Sequence, residues 1–200
     1  MNTAFARMLL TFVGLLPVAA WTAEKLPGPR EAKDANVVTL PAAETDPSHP
    51  DFLRTHLKPF GLVPLGEPPA EGGERCRFLW VRAFHRAALF ELEFQADGTG
   101  VYRASLWQAQ GGAGWVLQRT RQLTPSSRET HRRQLAACDF FALPFADDRR
   151  GMDGSEWYLE VQEGGRYHAV YRWSPEPGAL ATFGRDLIEA AIESEFLPVY

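Results

Sequence analysis

The sequence predicts an α+β domain: an antiparallel sheet of about six strands arranged in hairpins, with two main helices packed on one face. Three observations predict it. Between residues 75 and 123, short β-rich runs alternate apolar and polar side chains and are separated by turn signals. The same pattern returns at residues 155–173. Each set is followed by a segment of helical periodicity with its own start signal, at Thr124-Pro125-Ser126 and at Ser174-Pro175. Strands joined by short glycine loops must be antiparallel, and a one-sided apolar sheet needs helices to cover it.

Before the sheet, the chain reads as two further units. Residues 1–20 read as a signal peptide: Arg7 supplies the positive end, Met8–Leu16 the apolar run, and Val18-Ala19-Ala20 the small residues for cleavage. That run is too short for a comfortable bilayer span, which needs roughly 20 residues, so no stable membrane insertion is expected after cleavage. Residues 21–73 form a proline-rich arm, partly disordered, because repeated Pro blocks both helix and central strand. Within it, Asp51–Leu57 can make two helical turns, and Phe52, Leu53, Leu57, Phe60, Leu62 and Leu65 can drape over the domain. The α+β domain itself is expected over residues 74–200.

The first strand is expected from about Arg75 to Phe84 and the second over Ala88–Gln95, with Phe90, Leu92 and Phe94 on one face. Ala96-Asp97-Gly98 turns the chain into a third strand ending near Trp107. A three-residue loop sets Phe90 opposite Ala104, Leu92 opposite Tyr102 and Glu91 opposite Arg103, which keeps core and solvent faces apart. Gly111-Gly112-Ala113-Gly114 joins two strands, so it is a hairpin turn and not a phosphate loop. A fourth strand follows from Trp115 to Leu123. The first main helix is expected to carry a Ser126–Glu129 capping box, with Thr124 as a competing cap, and to bury His131, Leu135 and Cys138. The acidic, glycine-containing stretch Asp147–Gly154 lacks the ligand spacing of a calcium loop and reads as a turn.

The hairpin at 155–173 concentrates the polar residues. A three-residue loop, Glu163-Gly164-Gly165, would set Trp157 opposite Tyr171 and Leu159 opposite Ala169 on an aromatic core face. The other face would hold Glu160 opposite His168 and Glu156 opposite Arg172. Glu156, Glu160, His168 and Arg172 are therefore the candidate ligand-binding residues. The same residues can equally serve as charge pairs that hold two strands in register. The last helix is expected to start at Ser174-Pro175, with Leu180, Phe183, Leu187 and Ala191 on its buried face, and to end near Glu195.

The pattern formed by Gly151, Asp153, Gly154, Trp157, Leu159 and Glu160, followed by Gly165, Tyr167, His168, Arg172, Trp173, Ser174 and Pro175, resembles that of a group of uncharacterised bacterial proteins. The resemblance covers roughly residues 76–190 and implies neither a substrate nor a mechanism.

Two cysteines, Cys76 and Cys138, would meet an oxidising compartment after export. A disulfide between them is one reading, closing about 60 residues and contributing ~4 kcal/mol if unstrained. Two buried, unpaired thiols are the other.

The formal net charge of −4 argues against nucleic acid as a partner, which needs a clustered basic surface. The sequence carries no nucleophile elbow, zinc-protease helix, Cys-x-x-Cys or dinucleotide fingerprint, and no catalytic residue, metal or cofactor is assigned. The expected role is that of a non-catalytic binding or interaction domain of the bacterial cell envelope, periplasmic or secreted, taking a protein or a small anionic ligand. The alternatives are a hydrolase-like enzyme using Glu160 and His168, with Asp153 nearby, and an envelope structural protein that contacts partners through its proline-rich arm.

Overall fold

The computed structural model describes residues 51–66, 72–109, 112–149, 151 and 153–191. The expected signal peptide and the first part of the arm lie outside these residues, and so does the tail after 191.

Helix α1 (Phe52–Leu57) continues into a single 3-10 turn at Lys58–Phe60. The sheet strands are β1 (Glu74–Arg82), β2 (Ala88–Phe94), β3 (Gly100–Gln108) and β4 (Gly114–Leu123), then β5 (Ser155–Glu163) and β6 (Arg166–Trp173). Helix α2 (Pro125–Ala137) connects β4 to β5, and α3 (Ala179–Glu189) follows β6. The six strands form one antiparallel sheet in the order β4-β3-β2-β1-β5-β6. The chain thus builds a four-strand meander, then crosses over through α2 to add the second hairpin beside β1.

Alternation along the strands makes two faces, and both are covered. On the helix side, Phe78, Phe90, Trp157, Leu159 and Val161 form one core with Leu135, Phe183 and Leu187 from the two main helices. On the other side, Leu79, Leu89, Tyr158 and Tyr171 pack under Phe52 and Leu57 of α1. The draped arm is therefore a third layer, with Phe52 and Leu57 almost completely buried. Its rings interlock with the sheet: Phe52 meets Tyr171 at 4.9 Å, and Phe60 meets Trp107 at 5.5 Å.

The register expected for β2 and β3 is the one found, with Phe90 opposite Ala104 and Glu91 opposite Arg103. The ion pairs do not follow those opposite positions. Arg103 reaches diagonally to Glu93 at 2.8 Å, while Glu91 pairs with Arg77 of β1 at 3.3 Å.

Two local expectations are corrected, and one left open is decided. The cap of α2 is Thr124, in a box with Ser127, because Pro125 occupies the first helical turn and sets the frame two residues earlier than a Ser126 cap would. Helix α3 starts at Ala179, not at Ser174. Ser174 sits at φ 38° instead, its N–H donating to the Ser155 carbonyl and its hydroxyl accepting from the Ser155 N–H, so it closes the hairpin. Finally, Cys76 and Cys138 are free thiols. Cys76 is sealed in the core between β1 and the helices, whereas Cys138, at the end of α2, donates to the Leu135 carbonyl at 3.4 Å.

Candidate functional site

The β5–β6 hairpin turns in two residues, not three. Gly164 and Gly165 both take positive φ, 57° and 74°, the requirement of a tight two-residue hairpin turn. The register follows: Glu163 lies opposite Arg166, Glu160 opposite Ala169, Val161 opposite His168 and Trp157 opposite Arg172. Residues directly opposite share a face. Glu156 and Glu160 therefore face the arm, while His168 and Arg172 face the helices. The expected polar row does not exist, and Glu160 and His168 cannot act together on one substrate. The expectation fails because it took one face to be solvated. With both faces covered, polarity no longer selects the register, and the glycine pair does.

Each of the four residues has a packing role. Glu160 is 1% exposed. It accepts from the Leu65 backbone N–H at 2.7 Å and from the Tyr167 hydroxyl at 2.9 Å, and pairs with Arg77 at 3.4 Å. Burial pushes its carboxyl above the usual range, and the Leu65 N–H, Arg77 and Tyr167 offset that only in part. Gln162, two residues on, donates to the carbonyls of Leu65 and Gly66. Together these groups fasten the arm to the sheet. Glu156 accepts from the hydroxyls of Tyr158 and Tyr171. His168 contacts the Leu143 carbonyl at 2.8 Å through Nε2. Arg172 donates to the carbonyls of Pro144 and Phe145 and pairs with Asp147 at 3.6 Å. The Tyr171 N–H also donates to the Phe145 carbonyl, so residues 143–147 run along the outer edge of β6 and cover its backbone groups.

Several of the other motif residues are also accounted for by packing. A Cβ on Gly151 or Gly154 would collide with the Trp173 indole, and one on Gly184 would fall inside the Trp157 indole. The Trp157 N–H donates to the Ser155 hydroxyl at 3.0 Å.

Polar groups that the fold uses less fully gather elsewhere, on the helix side. A cleft of about 290 Å³ opens between α2, α3 and strands β2–β4. Its floor includes Leu92, Tyr102, Leu123 and Leu187; its rim carries Arg121 from β4, Ser126, Thr130 and Gln134 from α2, and Asp186 from α3. The Tyr102 hydroxyl donates to the Leu187 carbonyl at 2.7 Å, anchoring α3 to the sheet beside the cleft. The Arg121 guanidinium lies 5.5 Å over the Tyr102 ring and has no carboxylate partner among the described residues. Gln134 donates to Asp186 Oδ2 and joins the two helices at the rim.

His131 lines the same cleft and is 4% exposed, wedged between the rings of Phe94 and Phe183. Its Nδ1 has no hydrogen-bond partner among the described residues. Burial lowers its pKa to about 4, against the opposing pull of Glu74, so the imidazole is neutral at pH 7. Glu74 is itself buried and accepts from Arg128 and Arg132. Burial pushes its carboxyl up, but the hydrogen bonds and charges of the two arginines outweigh this and lower it.

None of the cleft residues is among the site candidates read from the sequence. One signal for them is present: Ser126, Thr130 and Gln134 recur at helical spacing as a polar stripe beside the buried His131–Leu135 face. The spacing does not say that a neighbouring helix stops short of that stripe and leaves a cleft.

Among the described residues, no group of three or more His, Cys, Asp or Glu could hold a metal ion. No helix among them is long and apolar enough to cross a membrane. No protein-family model matches the chain, and a search of curated proteins finds no significant similarity.

Proposed function

We propose that this protein is a non-catalytic binding domain that acts in the cell envelope, with its ligand held in the cleft between α2, α3 and the β2–β4 part of the sheet. The observation that carries the reading is the contrast between the two polar regions. The hairpin residues Glu156, Glu160, His168 and Arg172 are all engaged in internal hydrogen bonds. Among the described residues, the cleft instead keeps Arg121 without an ion-pair partner and His131 with an unpaired buried nitrogen, beside a concave apolar floor. Concave apolar surface with a few convergent polar groups is the usual form of a small-molecule site.

Binding is favoured over catalysis by the state of the base. His131 is the one imidazole among the described residues of the cleft wall. With a pKa lowered to about 4, it is a weak general base at neutral pH. It makes no hydrogen bond to Ser126, Ser127 or Thr130 among the described residues, so no activated nucleophile is assembled. Export is supported by Arg7, the apolar run Met8–Leu16 and the small residues Val18-Ala19-Ala20.

The test is a thermal-shift and NMR screen of small polar compounds against the purified protein and against Arg121→Gln. Expected are ligands whose binding perturbs amides of Thr130, His131 and Leu187 and weakens in the variant, but not in the control Arg185→Gln on the exposed side of α3. Perturbations confined to the hairpin would overturn the assignment.

A further inference from the structure

We infer that the cleft recognises a small zwitterion of the free α-amino-acid class, its carboxylate held by Arg121, its ammonium by Asp186, and its apolar side chain laid on Leu92, Leu123 and Leu187. This deepens, and rests on, the binding role proposed for the same cleft.

Charge is the first argument. Among the described residues, the cleft lining has one cation, Arg121, and one carboxylate, Asp186, and its imidazole is neutral. A simple anion would satisfy Arg121 and be repelled by Asp186; a simple cation would do the reverse. Only a ligand bearing both charges complements both rims. Neither group is consumed by the fold. Arg121 touches the Tyr102 ring and has no carboxylate partner among the described residues. Among the described residues, Asp186 receives one hydrogen bond, from Gln134 to Oδ2, and that bond orients the carboxylate while leaving Oδ1 as an acceptor.

Size is the second. A volume of about 290 Å³ lies at the small end of ligand sites. It suits a molecule of few heavy atoms and excludes a folded partner. The floor is the third. Leu92, Leu123 and Leu187 are each less than a tenth exposed and form part of the helix-side core. An aliphatic side chain laid there removes further apolar surface from water at about 25 cal/mol per Å².

The experiment is isothermal titration of the full chain with L-leucine, N-acetyl-L-leucine, which lacks the ammonium, and L-leucinamide, which lacks the carboxylate. The expected result is binding of leucine, with each blocked compound weaker by about tenfold or more, as loss of a charge-assisted contact requires. Arg121→Gln should erase the preference for leucine over leucinamide. Asp186→Asn should erase the preference for leucine over N-acetylleucine. Unchanged melting temperatures show that both exposed substitutions leave the fold intact. If N-acetylleucine binds as well as leucine, and Arg121→Gln abolishes both, the cleft is an anion site: the zwitterion assignment falls while the binding reading stands. If none of the three binds and Arg121→Gln alters no ligand found in the wider screen, both fall.

Discussion

The backbone N–H of Leu65 donates to Glu160 Oε1 at 2.7 Å, across 95 residues of chain. This bond joins the arm to the sheet's second hairpin and explains why a carboxylate is buried there. Glu160→Ala removes the acceptor for Leu65 and Tyr167 and leaves Arg77 without its buried partner, which costs about 3–5 kcal/mol. Glu160→Gln keeps an acceptor and costs less. Urea unfolding at neutral pH measures both. A loss below about 1 kcal/mol for the alanine variant would show that the arm is not fastened at this point.

Acid stability depends on His131. Its pKa falls from 6.5 to about 4 on burial, so the unfolded chain takes up the proton more readily than the folded one. The associated stability is present above pH 6.5 and is lost as the pH falls toward 4, amounting to about 3 kcal/mol. Glu160 acts in the opposite sense: its raised pKa favours the folded state at low pH. The His131 contribution is isolated by comparing wild type with His131→Leu in urea titrations across this range. The variant should show a shallower fall, and parallel curves would refute the assignment.

The edge of β6 is closed by His168 and Arg172 gripping residues 143–147. Arg172→Ala should cost about 2–3 kcal/mol, since it removes charged hydrogen bonds from a buried guanidinium to the Pro144 and Phe145 carbonyls. It should also release the Tyr171 amide, which donates to the Phe145 carbonyl, for hydrogen exchange. Binding in the cleft should be unaffected. Hydrogen exchange by NMR at Tyr171 distinguishes this edge role from any role in ligand contact.

Gly184 gives way to the Trp157 indole, which occupies the space a Cβ would need. Gly184→Ala improves helix propensity by at most about 1 kcal/mol, and overpacking costs about 1–3 kcal/mol, so the melting temperature should drop. Trp157→Phe in the Gly184→Ala background should recover part of the loss, although Trp157→Phe alone is destabilising. Failure of this rescue would place the strain elsewhere.

Both cysteines should titrate with a thiol reagent once the chain is denatured without reductant. In the folded protein Cys138 should react slowly and Cys76 not at all, because burial pushes both thiols up and seals Cys76 in the core. No reactive thiol after denaturation would mean a disulfide forms.

Much of this architecture is legible in the sequence because it depends on short-range chemistry. Alternation with the Ala96-Asp97-Gly98 turn determines the β2–β3 register, and the cap signals around Thr124 locate α2. The apolar positions Phe52 and Leu57 in the proline-rich stretch identify the draped arm. Tertiary structure alone decided the rest. Alternation says which residues share a face but not whether that face is wet. Once the arm covers the second face, Glu160 becomes a buried fastener, the Gly164-Gly165 turn selects the register, and the four polar hairpin residues separate to opposite sides of the sheet. The cleft depends likewise on where α2 and α3 come to rest against β3 and β4, bringing Arg121, His131 and Asp186 together. Their separation along the chain encodes no distance, because only the packing of helices on the sheet sets it.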